Sequence, residues 1–303
     1  MTKNAVISTT LPFSTQTLAG NNGEIENSGV DIQLNWSDKI GKDFSYYAGV
    51  NLSTLRNRVK SLNGAPYIYG GSAESRTINL VGEEMQSYYG YKVVGVYQNQ
   101  AQIDADPIAK ANGLEPGDFI YEDVNNDQVI DDKDRQILGA NIPRLTYSFN
   151  LGFQYKRWEF SLSTFGQAGN EIYNRKRAVR YTQANFNFDK DFYENRWTGE
   201  GSTNKYPSAK GMLNAWNNNR TNSFFVEKGN YFRIQNVMLA YSFQNIRMGG
   251  YTLPGLRVSL TADRPFTYFT SNGFTPEISQ SFGWDEGVYP LAATYTLGVT
   301  IDF

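Results

Sequence analysis

Polar and apolar residues alternate with a period of two through much of this chain. Between Leu145 and Tyr155 the odd positions are Leu145, Tyr147, Phe149, Leu151, Phe153 and Tyr155, and the even ones Thr146, Ser148, Asn150, Gly152 and Gln154. Successive side chains of a strand point to opposite faces, so this predicts a two-faced strand of membrane-spanning length. Lys156 and Arg157 separate it from 158–166, where Trp158, Phe160 and Leu162 alternate with Glu159, Ser161 and Ser163. Two residues between alternating runs predict a tight hairpin. At the carboxyl end Tyr295, Leu297, Val299, Ile301 and Phe303 alternate with Thr296, Gly298, Thr300 and Asp302. Residues 30–36, 44–55, 231–243 and 256–269 alternate too, with a parity slip near Asn236 that predicts a bulge. Weaker runs at 4–10, 75–81 and 88–97 bring the total to roughly ten strands, and no helix is predicted.

The connections alternate in length. Those at 37–43, 156–157 and 244–255 are short, and those at 98–143, 167–230 and 270–293 are long. Long structureless loops are uncommon in a compact soluble domain. Short turns on one side and long loops on the other are the pattern of an outer-membrane barrel. The expected fold is therefore all-β: an antiparallel up-and-down transmembrane β-barrel wall with short periplasmic turns and long extracellular loops. A soluble β-sandwich, whose strands also alternate, is the competing fold.

Composition favours the wall. The 303 residues include 21 Tyr and 19 Phe at a mean hydropathy of −0.51. Apolarity thus sits in rings, which form girdles at both interfaces of a barrel, and no run approaches the roughly 20 apolar residues of a spanning helix. With no His and no Cys, the chain holds no thiol or imidazole nucleophile, no imidazole base, no zinc site of the usual ligands and no disulfide. A net charge of −2 from 28 basic and 30 acidic residues is too balanced for nucleic acid as main partner. The segment from Met1 to Ile7 has one positive charge and no apolar run, so no secretory signal is expected. Acidic pairs such as Glu83-Glu84 and Asp285-Glu286 are adjacent, would point apart in extended chain, and select no glycosidase site. An enzyme is not expected.

The sharpest local motif is acidic. From Asp123 to Asp134, oxygen ligands fall at loop positions one, three, five, nine and twelve (Asp123, Asn125, Asp127, Asp131 and Asp134), with the Val129 carbonyl at seven. That is the spacing by which a short loop wraps Ca²⁺. Gln128 stands where Gly is expected and Asp134 where a longer Glu is. No cofactor is required, and a structural calcium is the one ion considered. Trp197, Tyr206, Trp216, Tyr231 and Trp284 are candidates for stacking on substrate, against the alternative of loop packing. Arg175, Lys176, Arg177 and Arg180 form a basic cluster that reads as a solvated loop face, with anionic lipid or ligand contact as the alternative.

Several segments occur together in order: Asn22-Gly23-Glu24-Ile25-Glu26-Asn27-Ser28-Gly29-Val30, Pro116-Gly117-Asp118 before the acidic loop, Asn195-Arg196-Trp197-Thr198, Lys205-Tyr206-Pro207, Ser223 through Val237, and Tyr289-Pro290 before Thr294-Tyr295-Thr296-Leu297-Gly298. In these the chain resembles the carboxyl-terminal barrel portion of SusC/RagA-type TonB-dependent outer-membrane transporters of Bacteroidetes-like bacteria, over essentially residues 1–303. The resemblance implies an outer-membrane location and contact with lipid. It also implies uptake of oligosaccharides or peptides, a SusD-like surface lipoprotein, and energy from the TonB complex through an amino-terminal part not in this sequence. Signal peptide, TonB box and plug domain are expected to be absent, leaving a fragment of the barrel. Asp263-Arg264-Pro265-Phe266 departs from the family pattern and raises the expectation of a broken strand at Pro265. A soluble carbohydrate-binding sandwich with structural calcium is the alternative function.

Overall fold

A computed structural model describes residues 2–10, 17–73, 75–181, 187–278 and 282–302, with side chains from 23 onward except at 248, 251 and 252. Ten long strands carry the architecture: β1 (Thr2–Thr10), β2 (Thr17–Ser28), β3 (Asp31–Ile40), β4 (Phe44–Thr54), β5 (Arg56–Leu62), β6 (Leu145–Tyr155), β7 (Trp158–Ala168), β8 (Tyr231–Met248), β9 (Tyr251–Phe269) and β10 (Thr294–Asp302). Seven form one antiparallel sheet in the order β10-β9-β8-β7-β6-β4-β3, and β1, β2 and β5 form a second. The two are joined through one long hairpin, since Asp31 pairs with Ser53 in the first and Ser28 with Arg56 in the second. The joint lies at Gly29, where a Cβ would come within 1.9 Å of the Thr54 carbonyl oxygen, so only glycine fits.

Register sorts the side chains by polarity. Trp36, Ala48, Leu151, Leu162, Val237, Ala262 and Tyr295 form one row across the seven strands. One residue along, on the other face, run Asn35, Gly49, Asn150, Ser163, Asn236, Asp263 and Thr294. The apolar face is bare: Leu34 is 65% exposed, Leu260 60% and Leu297 67%. The polar face bonds to itself, with Asn51 donating to Ser148 at 2.9 Å and Asn236 to Asp263 at 2.8 Å. In β6 the odd residues Phe149, Leu151 and Tyr155 are exposed on the apolar face while Gly152 is buried, so the expected parity holds. Near the short turns the apolar face ends in rings, with Phe44 and Tyr155 at 6.3 Å and Trp158 and Tyr241 at 4.7 Å. Phe303, read as the last wall residue, lies outside the described residues.

The turns follow local chemistry. Lys156-Arg157 closes its hairpin in two residues, with Lys156 at φ +53°. The connection expected at 244–255 is instead mostly strand: β8 and β9 run on to a Gly249-Gly250 turn at φ +54° and +92°. Polar residues such as Gln244 and Arg247 obscured the alternation there, and the diglycine supplies the left-handed angles that a tight hairpin needs. The predicted bulge is found at Gln235, which the ladder skips between Ile234 and Asn236. Opposite it the ladder skips Arg264 and Pro265, with Arg264 at φ +53°. The expected break at Pro265 does not occur, because the proline sits in an irregularity that asks for no donor.

The long connections form a second body, the lobe, contrary to the expectation of structureless loops without helix. Runs 75–81 and 88–97 do contain strands, but Thr77–Leu80 and Ser87–Gly90 join Tyr67–Gly70 and Gln136–Gly139 in a small lobe sheet. Among the described residues six short α-helices appear: α1 (Gln100–Ala105), α2 (Pro107–Ala111), α3 (Arg175–Tyr181), α4 (Lys190–Asn195), α5 (Ala209–Met212) and α6 (Ala215–Asn218). Each has at most seven residues, too short for helical periodicity to show, and most are started by side-chain caps such as Asn99, Asp106, Asp189 and Ser208. The buried apolar cluster lies in this lobe, including Tyr88, Phe119, Tyr173, Phe192, Met212 and Phe225.

Candidate functional site

The lobe is organised around a buried guanidinium. Arg177 lies on α3 and is 3% exposed. It reaches Asp189 at 3.0 Å, Asp191 at 2.6 Å and Glu227 at 3.4 Å, and donates to the Tyr181 hydroxyl at 2.7 Å. Spacing of four along α3 sets Arg177 and Tyr181 on one face. A charge so buried is tolerable only when paired on several sides. Burial alone would push the Asp189 carboxyl up, but the hydroxyl of Tyr181, the N–H of Phe192 and Arg177 outweigh it and hold it below the usual carboxylate range. Tyr206 donates to Asp191 at 2.9 Å, and burial with that neighbouring carboxylate pushes its phenol up to about 12.

Beside this hub opens a cleft of about 420 Å³ lined by Val94, Arg177, Tyr206, Phe224, Glu227 and Asn272, among others. Another concavity, of about 620 Å³, lies on the polar face of the wall around Tyr47, Gln154, Glu159 and Ser161. One cleft is mixed in charge and built by the lobe; the other belongs to the strands.

The four residues read as a basic cluster are drawn into the lobe rather than left as a solvated face. Arg175 pairs with Glu286, Lys176 with Asp285 at 3.4 Å, and Arg180 donates to the Asn187 carbonyl at 3.0 Å. Their helix faces carboxylates contributed from 189–191, 227 and 285–286, a convergence that spacing along the chain does not reveal.

Among the ring candidates, Trp216 and Tyr206 are buried in the core, and Trp216 donates to the Phe119 carbonyl at 2.9 Å. Trp197 and Trp284 are half-buried against it, Trp284 stacked on Phe282 at 4.7 Å. Tyr231 opens β8 and packs against Phe165 at 5.9 Å. An unforeseen stack accompanies them: the Arg220 guanidinium lies 4.4 Å from the Trp216 ring centroid and 5.1 Å from that of Tyr91.

The acidic loop turns as its spacing asks. Gln128, in the position usually given to glycine, has φ +64°. Asp134 is buried and accepts the N–H groups of Val124 at 2.9 Å and Asp131 at 2.8 Å. Asp127 accepts from the Asn125 amide at 2.7 Å and the Val129 N–H at 3.0 Å, and Lys133 stands 3.5 Å from it. The Asn125 amide, with smaller help from Val129 and Lys133, holds the Asp127 carboxyl below its usual range. Among the described residues no group of three carboxylates is placed to hold a metal ion. The loop's oxygens are occupied by its own amides, and the exposed Val129 side chain leaves position seven at the surface.

No protein-family model matches the chain. A TonB-dependent receptor named P26 from Formosa agariphila is 29% identical over 320 residues, covering 100% of this chain and 32% of the relative. The TonB-dependent receptor SusC of Bacteroides thetaiotaomicron is 25% identical over 288 residues, covering 93% of this chain and 27% of its own. Among solved structures, the RagAB peptide importer in its open-open state superposes with a TM-score of 0.76 at 20% identity, over 99% of this chain and 31% of that one. Its closed-closed state gives 0.74 at 21%. Among the described residues no helix is long and apolar enough to cross a membrane, which says nothing of crossing by strands. The polar and apolar faces, the turn and loop asymmetry and these likenesses agree: the chain is similar in sequence to TonB-dependent receptors such as P26 and SusC and in fold to the RagAB importer, and it spans about a third of their length.

Proposed function

We propose that this chain is wall and loops of a TonB-dependent outer-membrane transporter for oligosaccharides or peptides. The observation that carries the reading is the register: seven strands put their large apolar residues on one exposed face and Asn, Ser and Asp on the other. Such a sheet suits hydrocarbon outside and a wet lumen inside. The competing soluble sandwich would bury that apolar face against a second sheet, and here Leu34, Leu260 and Leu297 are bare. The lobe then stands outside the cell, where a SusD-like lipoprotein would close over it, and the TonB complex would act through segments beyond this sequence. Trp197 and Trp284, at the lobe's margin, are the rings offered to substrate, while Tyr206 and Trp216 support them from the core. The acidic loop from Asp123 to Asp134 is proposed to take calcium in the exterior medium, where weak affinity suffices.

The test uses the natural polypeptide that contains these residues. It is expected in the outer-membrane fraction, released only by detergent, and its substrate uptake is expected to stop when TonB is removed. Recovery in a soluble fraction, or uptake indifferent to TonB, overturns the reading.

A further inference from the structure

The wall's apolar face carries rings at its lobe end as well as at its short turns. Ile32, Leu52, Tyr147, Gly166, Phe232 and Tyr268 follow one another across the sheet, and the Tyr147 ring lies over Gly166. Tyr268 is 61% exposed there. On the transporter reading such a row marks the upper boundary of hydrocarbon. Beyond it the long hairpin keeps its register: Asp31 pairs with Ser53 and Ser28 with Arg56, so no residue is skipped between the two pairs. Alternation therefore carries the face of Leu52 on to Arg56, Arg58 and Lys60. Burial agrees. The intervening Asn57 and Val59 are buried, with Asn57 Oδ1 accepting the Met85 N–H at 2.8 Å, whereas Arg56 and Lys60 are exposed.

A concavity of about 440 Å³ lies at this point, lined by Arg56, Arg58 and Arg144 together with Glu83 and Glu84. Its charges do not cancel. Glu84 is taken by Arg144 at 3.0 Å, and Glu26, opposite Arg58 on the ladder, is taken by Lys60 at 3.4 Å. Among the described residues that leaves Arg56 and Arg58 without an ion pair, against the single unpaired carboxylate of Glu83. Arg56 comes four residues after Leu52 and Arg144 three before Tyr147. They stand roughly 10–13 Å past the ring row along the strand, at about 3.3 Å per residue, and less than that in height because the strands of a barrel tilt. That is the depth of lipid headgroups. From this placement we infer that Arg56, Arg58 and Arg144 hold the phosphate of a membrane lipid headgroup, whose acyl chains run down the apolar face past Leu52 and Tyr147. The inference rests on the transporter reading and names a partner of its wall. Guanidinium groups match phosphate oxygens in pairs of hydrogen bonds, and the concavity has room for a headgroup but not for a whole lipid. Continuity with the bare apolar face selects a lipid over a free anion. Glu83 is the group that opposes it.

The experiment titrates the natural polypeptide, purified in detergent, with dioleoyl phosphatidic acid and counts bound lipid by native mass spectrometry. Dioleoylglycerol, which has the same chains and no phosphate, and inorganic phosphate, which has no chains, serve as comparisons. Phosphatidic acid is expected to bind about tenfold more tightly than dioleoylglycerol, and the double substitution Arg56→Gln with Arg58→Gln is expected to bring the two lipids together. Glu83→Gln is expected to tighten phosphatidic acid about threefold, a gain that misfolding does not produce, so it decides the matter if the double variant fails to fold. Lys156→Gln, at the opposite end of the wall, is expected to keep the preference. Equal binding of the two lipids by wild type, a preference that survives loss of both arginines, no gain in E83Q, or an equal loss in K156Q overturns the inference. Displacement of the lipid by equimolar inorganic phosphate overturns it too, in favour of a free-anion site. Outer-membrane fractionation of the same preparations separates the two failures: a protein found there but without the lipid preference loses only this site, and one not found there loses the transporter reading as well.

Discussion

The wall and the lobe are cut from one chain but follow opposite rules of solvent. In the wall, ladders across seven strands satisfy the backbone while Leu34, Leu260 and Leu297 are left bare. In the lobe, Phe119, Phe192 and Phe225 are completely buried, and even the charge of Arg177 is enclosed. The lobe therefore carries its own core and resembles a small water-soluble domain. Among the described residues the wall's apolar face has no partner, and on the transporter reading hydrocarbon would cover it. Stability in one region should answer to cavities and broken pairs, and in the other to polarity at a given depth.

The comparison breaks most easily in the lobe. Phe225→Ala empties a fully buried position and is expected to cost about 3–5 kcal/mol. Arg177→Ala, which leaves Asp189, Asp191 and Glu227 facing one another, is expected at about 3 kcal/mol, the low end for a broken buried pair because two of those carboxylates are partly hydrated. Both variants should loosen lobe amides in hydrogen exchange and leave β6 to β9 protected. Loss of wall protection to the same degree would mean that the two bodies are one cooperative unit.

Next comes polarity in the wall. Phe149→Arg puts a charge on the apolar face and is expected to cost about 2–4 kcal/mol in a reversible membrane-folding assay, while the adjacent Asn150→Arg on the polar face costs far less. Equal costs would erase the distinction between the faces. A smaller effect is expected of acid. Asp189 is held below its usual range in the folded lobe, so its contribution is fully present above the unfolded value of about 3.9 and is lost as pH falls through the lower folded one. Lobe protection should therefore decline below about pH 4 in wild type, and the decline should flatten in Asp189→Asn. A profile unchanged by that substitution would remove Asp189 from the hub's acid response.

The wall was legible in the sequence because its information is local: Leu145 to Tyr155 states its two faces in consecutive letters, and Lys156-Arg157 marks its own turn. Even the slip at Asn236 showed as a change of parity. The lobe was not legible in the same way. Arg177 meets Glu227 across 50 residues and Lys176 meets Asp285 across 109, and no pattern along the chain announces such pairings. For Tyr206 and Trp216 the sequence left substrate stacking and loop packing both open, because a single aromatic in a polar stretch carries no sign of which surface it will meet; in the fold both are buried. Short helices such as α5 and α6 add nothing periodic to read.

The smallest expected effect concerns the acidic loop, which lies within the lobe yet is read from local spacing like the wall. Its carboxylates already accept amides, Asp134 from Val124 and Asp131 and Asp127 from Val129, so the loop is ordered without an ion. Calcium at a weak exterior site then adds only RT ln(1 + [L]/Kd), about 1 kcal/mol when the ion stands a few-fold above its Kd. The two roles separate by substitution. Asp134→Ala removes a buried cap and should cost about 1 kcal/mol whether or not calcium is present. Asp127→Ala should matter chiefly with calcium, abolishing a stabilisation that wild type gains in millimolar calcium and loses in chelator. Lobe hydrogen exchange at both calcium levels reads all three proteins. If wild type shows no difference between calcium and chelator, the loop is an amide-capped turn and its spacing carries no ion.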